Sequence, residues 1–193
     1  MPKNFPQLDG QGRLYTDSIA NAANIDGITN AINTIDYAHH EIHSGSHFYI
    51  QGYVELNTDG VLRMKMVTPD TGKWVHFRFE ITSSGICGTT LDEGASGGMT
   101  GGTPVTPINN NRNSTQTSVL TLTSGVAAAS DYVARIESDK WGAGGKFIAS
   151  GGGTSRENEL ILKQNTTYLR TFTSEADANI IQFKATWYEH TNI

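Results

Sequence analysis

The sequence is poor in cysteine, in charge and in long apolar runs, and each shortage excludes a class of protein. Cys87 is the single cysteine, so we expect neither an intrachain disulfide nor a cysteine-based zinc cluster, and synthesis in a reducing cytosol fits. No apolar run approaches the roughly 18 residues that cross a bilayer, and residues 1–5 lack the apolar core of a secretory signal peptide. A net charge of −5 argues against binding nucleic acid through a broad basic face.

Helix-forming residues are scarce as well. Charged residues make up only 17% of the 193 residues, below the usual ~25%, and glycine contributes 21 positions. Serine, threonine and asparagine are abundant, so turn formers and β-branched residues outweigh helix formers. The composition therefore argues against a mainly helical protein.

Apolar and polar residues alternate most clearly in three consecutive runs. These are residues 47–56, 62–66 and 74–81, and turn-forming pairs such as Asp59-Gly60 separate them. Because one side of each run is apolar and the other polar, the pattern predicts an antiparallel meander with one buried and one solvated face. Shorter alternating runs continue to the end of the chain without long helical segments between them.

The whole pattern predicts an all-β fold, an antiparallel β-sandwich or jelly roll over residues 38–193. Residues 1–37 are predicted to form a mostly irregular N-terminal arm with one short helix. That helix is indicated by apolar residues at spacings of three, four and three, namely Ile25, Ile28, Ile32 and Ile35. The stripe either docks on a partner or sister subunit or packs on its own sandwich, and the sequence leaves both possibilities open.

Residues 39–47 contain four histidines and one glutamate, among them His39, His40, Glu41 and His43. Such side chains bind zinc and other divalent ions, and cupins place ligands of this kind inside a jelly roll. Cupin ligands, however, are two histidines one residue apart, a glutamate a few residues later and a histidine from a distant strand, whereas these residues are contiguous. We therefore predict no metal and no cofactor, and interpret the segment as a hydrogen-bonded polar stretch or a contact between subunits.

No set of residues predicts catalysis. The Gly-Xaa-Ser-Xaa-Gly nucleophile motif is absent, and residues 151–154 lack the lysine of a phosphate-binding loop. Cys87 lies at a predicted turn, and carboxylate pairs such as Asp92 and Glu93 resemble ordinary surface acids. We therefore predict that the chain is not an enzyme.

Two further features indicate contacts with other molecules. Residues 95–116 form a long, nearly uncharged loop that we expect to be ordered, with Arg112 as the charged anchor of a contact surface and a mobile tip as the alternative. Tyr49, Tyr53 and Trp74 fall on the polar faces of the first and third alternating runs, where exposed aromatic rings tend to find partners.

Residues 35–48, 109–114 and 187–191 resemble the motif of a family of small proteins from tailed bacteriophages. Members of this family are encoded near head-morphogenesis genes and are similar to capsid decoration, or cement, proteins. The resemblance covers the chain from residue 35 onward. It implies a non-enzymatic β-sandwich on the capsid surface of the virion, made in the host cytoplasm, whose partners are the major capsid protein and further copies of itself.

The leading hypothesis is therefore a homo-oligomeric protein that binds the outside of a phage capsid and stabilises it. Its candidate contacts are the isoleucine stripe, the histidine segment, Arg112 and the three exposed aromatic rings. The alternative is a carbohydrate-binding jelly-roll module of a head fibre or receptor-binding element, in which Tyr49, Tyr53 and Trp74 stack on sugars. A cupin-like metalloenzyme is a third, weaker hypothesis. No nucleic-acid or membrane partner is predicted.

Overall fold

The structure of the chain is a computed structural model that describes residues 7–8, 14–15, 37–142, 150–153 and 159–191. The chain divides into two compact units, Met1–Tyr37 and Ala38–Ile193. In the first unit, Gln7–Leu8 (β1) pairs antiparallel with Leu14–Tyr15 (β2). The predicted helix carrying Ile25, Ile28, Ile32 and Ile35 lies outside the described residues.

Strands dominate the second unit, as the alternating pattern predicts. An eight-residue helix, Tyr37–Ser44 (α1), begins at the boundary and precedes them. The strands are His47–Leu56 (β3), Val61–Thr68 (β4), Lys73–Ser83 (β5), Cys87–Glu93 (β6), Thr103–Val105 (β7), Ile108–Asn109 (β8), Thr121–Ser124 (β9), Ala134–Trp141 (β10), Ser150–Gly153 (β11), Leu160–Leu162 (β12), Thr166–Ser174 (β13) and Asn179–Thr191 (β14). Within the described residues, no helix has the length and apolar character that crossing a bilayer requires.

These strands form two antiparallel sheets with the connectivity of a jelly roll. The β13 sheet has the order β10-β6-β13-β4-β9-β7, and the β14 sheet has the order β11-β5-β14-β3-β8, with β12 also paired to β5. The pairing is that of one long hairpin folded over on itself: β3 pairs with β14, β4 with β13, β5 with β11 and β12, and β6 with β10. This nested pairing is the jelly-roll pattern, so the predicted all-β sandwich is confirmed.

The predicted meander of the first three strands is wrong. β3 and β5 both pair with β14, whereas β4 belongs to the other sheet. The turn after β3 crosses between the sheets, where Asp59 donates its N–H to the carbonyl of Ser174 (2.9 Å) and Ser174 donates to that of Gly60 (2.9 Å). Alternation correctly indicated inward-facing residues such as Phe77 and Phe79, both buried, but it does not specify which strand is the neighbour.

The two sheets enclose an apolar core built from the inward-facing positions of the alternating strands. Large side chains that are fully buried in it include Phe48, Phe77, Phe172, Ile181 and Trp187. The packing is close at Gly52 of β3, where a Cβ would lie 3.2 Å from the ring of Phe183.

Arg170 is a charged residue inside this core. Its side chain is 2% exposed, its guanidinium carbon lies 4.4 Å from the centre of the Phe79 ring, and its Nη2 donates to the carboxylate of Glu137. Burial lowers the pKa of Arg170, and the nearby Glu137 carboxylate opposes that shift. Because its Nε has no hydrogen-bond partner in the described part of the chain, Glu137 provides the main compensation for this buried charge.

Helix α1 was not expected from the alternating pattern, and a glycine ends it. Gly45 donates its N–H to the carbonyl of Ile42 (3.1 Å) and Ser46 donates to that of Glu41 (3.0 Å), which is the Schellman arrangement. Gly45 has a φ of 80°, and a Cβ there would overlap the side chain of Ser114. Glycine is therefore required both to end the helix and to let a distant loop approach it.

Candidate functional site

Three segments that lie far apart in the sequence meet at the start of β3. Residues 109–116 hydrogen-bond to the end of α1: the side-chain amides of Asn109, Asn111 and Gln116 donate to the carbonyls of Gly45 (2.7 Å), His43 (3.1 Å) and Ser44 (2.9 Å). Near the end of β14, the N–H of residue 189 donates to the carbonyl of residue 46 (3.0 Å). We call residues 39–47, 109–116 and 187–191 together the motif junction.

Within the motif junction, α1 has an inner and an outer side. Glu41 is 5% exposed, and its carboxylate accepts hydrogen bonds from the hydroxyls of Ser46 and Ser44. It therefore fixes the end of α1 and does not face outward. His39 and His43 lie one turn apart on the exposed side, with 2.9 Å between their Nε2 atoms.

His40 is also on the outside of α1, with a side chain that is 60% exposed. In the described part of the chain, no group of three histidine, cysteine, aspartate or glutamate side chains is arranged to hold a metal ion. The absence of a metal remains a prediction. What the helix presents outward is three imidazoles, which can donate and accept hydrogen bonds.

Arg112 lies at the tip of the loop that joins β8 to β9 and is exposed. Side-chain carbonyls hold the loop in successive turns, since Asn109 accepts from the N–H of Asn111 (2.8 Å) and Asn111 accepts from that of Asn113 (3.1 Å). Such local bonds replace the backbone pairing that a strand would provide. Arg112 is therefore presented by a hydrogen-bonded loop that contacts the end of α1 through the neighbouring Asn111.

His47, the first residue of β3, is buried within the motif junction. It is 5% exposed, stacks on Tyr188 with 6.4 Å between ring centres, and its Nδ1 lies 2.8 Å from the side-chain amide nitrogen of Asn110. Burial, reinforced by the positive charges of Arg78 and Lys184, lowers the pKa of His47 to about 4. The ring is therefore neutral at pH 7, and its Nδ1 is free to accept the amide hydrogen.

Next to His47, the outer face of the β14 sheet carries a second cluster of polar rings. His76 of β5 contacts Glu159 through Nδ1 (2.8 Å), and the hydroxyl of Tyr188 donates to the same carboxylate oxygen (2.7 Å). His190 approaches His76 with 2.7 Å between their Nε2 atoms. The His76 and Glu159 side chains are only 12% and 13% exposed, so this cluster is a closed hydrogen-bonded layer and not an open cleft.

All three predicted contact aromatics lie on this same outer face, but they differ in exposure. Tyr53 is 78% exposed and Trp74 is 37% exposed. Tyr49 is half-buried, and the ammonium of Lys184 lies 5.9 Å from the centre of its ring. Tyr53 is thus the ring most available to another molecule.

A small depression lies on the outer face beside Gln51, which is midway between Tyr49 and Tyr53 on β3. Its volume is about 130 Å³, and its lining is completed by the buried residues Ile81 and Phe183. The polar side chains that line it, here called the polar pocket, are Gln51, Glu80, Thr82, Gln182 and Lys184.

Sequence reasoning missed the polar pocket and the carboxylate of Glu159. Alternation identified Gln51 and Glu80 as outward-facing, but they were placed on strands of an incorrect meander. They come together because β14 lies between β3 and β5, so that Lys184 is opposite both of them. The alternation within each strand indicates which residues face outward, but it does not indicate the order of the strands in the sheet.

Comparison with protein families, with curated proteins and with solved structures finds no match to this chain.

Proposed function

We propose that this chain is a non-enzymatic structural protein of a virion, which binds the outside of a tailed-phage capsid as a homo-oligomer and stabilises it. The observation that supports this proposal is the motif junction. Three segments that resemble the phage family lie far apart in the sequence and form one hydrogen-bonded unit. The exposed residues of this unit include His39, His40, His43 and Arg112, and a motif that assembles into one unit with an exposed polar side is suited to contact one partner.

The physical role of such a protein is to hold capsid subunits together. Internal DNA pressure acts on the junctions between capsomers, and a rigid clamp across a junction adds buried interface area without any chemistry. The jelly roll supplies the rigid body. The exposed imidazoles of His39, His40 and His43 and the guanidinium of Arg112 supply hydrogen-bond donors, and Arg112 can pair with a carboxylate of the capsid protein.

The proposal is tested by adding the purified chain to heads that lack it, from the phage that encodes it, and measuring occupancy after sedimentation. The test variant is His39→Ala/His43→Ala/Arg112→Ala, and the control is Lys140→Ala/Glu175→Ala, which removes an exposed ion pair (2.7 Å) elsewhere. We expect the wild type and the control to saturate the heads and the test variant to bind much more weakly. Equal binding of both variants would contradict a role for the motif junction, and no binding of the wild type would contradict the proposed function itself.

A further inference from the structure

We propose that the polar pocket and the adjoining ring of Tyr53 form a binding site for a glycan, specifically an uncharged oligosaccharide. The inference does not depend on capsid binding, because the site lies on the open face of the β14 sheet and uses different residues from the motif junction.

The site is built by three neighbouring strands that place side chains in register. Gln51 of β3 is opposite Lys184 of β14, which is opposite Glu80 of β5. Two residues before Lys184 on β14, Gln182 is opposite both Tyr53 of β3 and Thr82 of β5, and these three residues form a second row. Directly opposite residues on one face of a sheet have Cβ atoms about 5 Å apart, so the two rows form one continuous polar surface.

The polar groups of this surface are available to a ligand. In the described part of the chain, the side chains of Gln51, Glu80, Thr82 and Gln182 take part in no hydrogen bond or ion pair with the protein, in contrast to His76 and Glu159 on the same face. An amide or a hydroxyl offers both a donor and an acceptor. Sugar hydroxyls also do both, so the chemistry of this surface matches a polyol.

The aromatic rings on this face can contact the apolar faces of sugars. Tyr53 is 78% exposed and directly opposite Gln182, so a sugar hydrogen-bonded in the pocket can rest one face on the ring. Tyr49 lies on the same side of β3, with its Cα about 13 Å from that of Tyr53 in an extended strand. An oligosaccharide laid along β3 passes from one ring over the pocket to the other.

The charge of the pocket favours an uncharged ligand. Glu80 and Lys184 lie opposite each other in one row, so their formal charges offset each other at the centre of the site. An anion would meet the carboxylate and a cation would meet the ammonium, and each would lose attraction. A neutral chain of sugars meets the donor Lys184 at the centre of this row and the acceptor Glu80 at one end of it.

The test uses the full chain and four soluble, uncharged probes: cellohexaose, maltohexaose, xylohexaose and hexa-N-acetylchitohexaose. Binding is measured by saturation-transfer NMR and by titration calorimetry, and the mass in solution by sedimentation. The variants are Tyr53→Ala and Gln182→Ala. The matched control is Tyr132→Ala, which removes an exposed tyrosine (42%) just before β10 of the other sheet.

We expect at least one probe to bind the wild type and Tyr132→Ala equally well. Loss of the Tyr53 ring should weaken that binding roughly 10- to 100-fold, and Gln182→Ala should weaken it as well. The inference is overturned if no probe binds at millimolar concentration, or if Tyr53→Ala binds as tightly as the wild type. It is also overturned if Tyr53→Ala converts an oligomer into a monomer without any probe binding the wild type, because the face is then a contact between copies of the chain.

Discussion

His47, Glu41 and Glu189 are polar residues with at most 5% of their surface exposed. Each has a hydrogen-bond partner in the protein: Asn110 for His47, Ser46 for Glu41 and Ser118 for Glu189. A buried polar group without such a partner costs about 1–3 kcal/mol. At the scale of single residues, these positions therefore hold the segments around them in place. Changes in their charge or shape should lower the free energy of unfolding.

His47 should make the stability of the protein depend on pH. Its pKa is about 4 in the folded protein and near 6.5 when unfolded. A group whose pKa is lowered on folding contributes its stability above the unfolded pKa and loses it as the pH falls toward the folded pKa. We expect protonation of His47 to reduce the free energy of unfolding by up to ~3 kcal/mol between about pH 7 and pH 4.

The measurement is urea unfolding across this pH range for the wild type, His47→Gln and His40→Gln. Glutamine does not titrate, so His47→Gln should show a flatter dependence than the wild type. His40→Gln makes the same replacement at an exposed histidine of α1 (60%) and is the comparison that isolates the effect of burial. An unchanged pH dependence in His47→Gln would show that other groups govern the acid instability.

At the scale of secondary-structure elements, the sequence indicates strand faces better than strand partners. The inward positions of β5, such as Val75 and Ile81, are buried as the alternation predicts. Which face of a strand is buried follows from its own residues, whereas pairing depends on segments far away in the sequence. The same distinction explains why His76 was correctly placed on an outward face while its contacts with Glu159 and His190 were not anticipated.

The histidine segment shows a second limit of prediction from the sequence. Its residues were recognised, but α1 was not, although Gly45 is the residue type that ends helices. Glu41 is buried with its carboxylate bonded to Ser46, a contact that depends on the turn at Gly45 and that the sequence does not reveal. Of the predicted contact residues, His39, His40, His43 and Arg112 are exposed in two segments that Asn111 joins through the carbonyl of His43, and Tyr49, Tyr53 and Trp74 share a different face.

Glu189 joins two elements, and replacing its carboxylate should loosen both. Its oxygens accept from the hydroxyl of Ser118 (2.5 Å), the N–H of Val119 (3.0 Å) and the indole N–H of Trp187 (3.0 Å). In Glu189→Gln, one acceptor oxygen becomes an amide donor that faces other donors. We expect the free energy of unfolding to fall by about 1–3 kcal/mol, measured by chemical denaturation at pH 7.

The matched control for this change is Glu55→Gln on β3, because Glu55 is exposed. Surface substitutions of this kind usually change stability by less than about 0.5 kcal/mol. Equal stability of the two variants would mean that the loop at residues 118–120 is held by other contacts.

At the scale of the whole molecule, three parts of the chain are candidates for contact with other molecules. The motif junction brings together residues 39–47, 109–116 and 187–191, the outer face of the β14 sheet presents the polar pocket, and the N-terminal arm precedes the sandwich in the sequence. The compact unit Ala38–Ile193 contains the first two. Its fold therefore should not depend on the arm, which allows the contribution of the arm to be measured by deletion.

The arm is predicted to anchor the protein on the capsid. Burying Ile25, Ile28, Ile32 and Ile35 against a partner would contribute about 6–12 kcal/mol before ordering costs, and fixing a segment of this length removes much of that gain. The net contribution of one subunit is therefore modest, and an oligomer gains occupancy because its arms bind together.

A chain lacking residues 1–36 retains all of α1, and it should keep the far-UV spectrum of a β protein but fail to bind undecorated heads. The matched variant is the full chain with all four isoleucines changed to serine, which should lose binding to a similar extent if the apolar stripe is responsible. If the shortened chain binds heads as tightly as the full chain, the arm is not the anchor, and the loop at residues 95–116 with Arg112 becomes the surface to test.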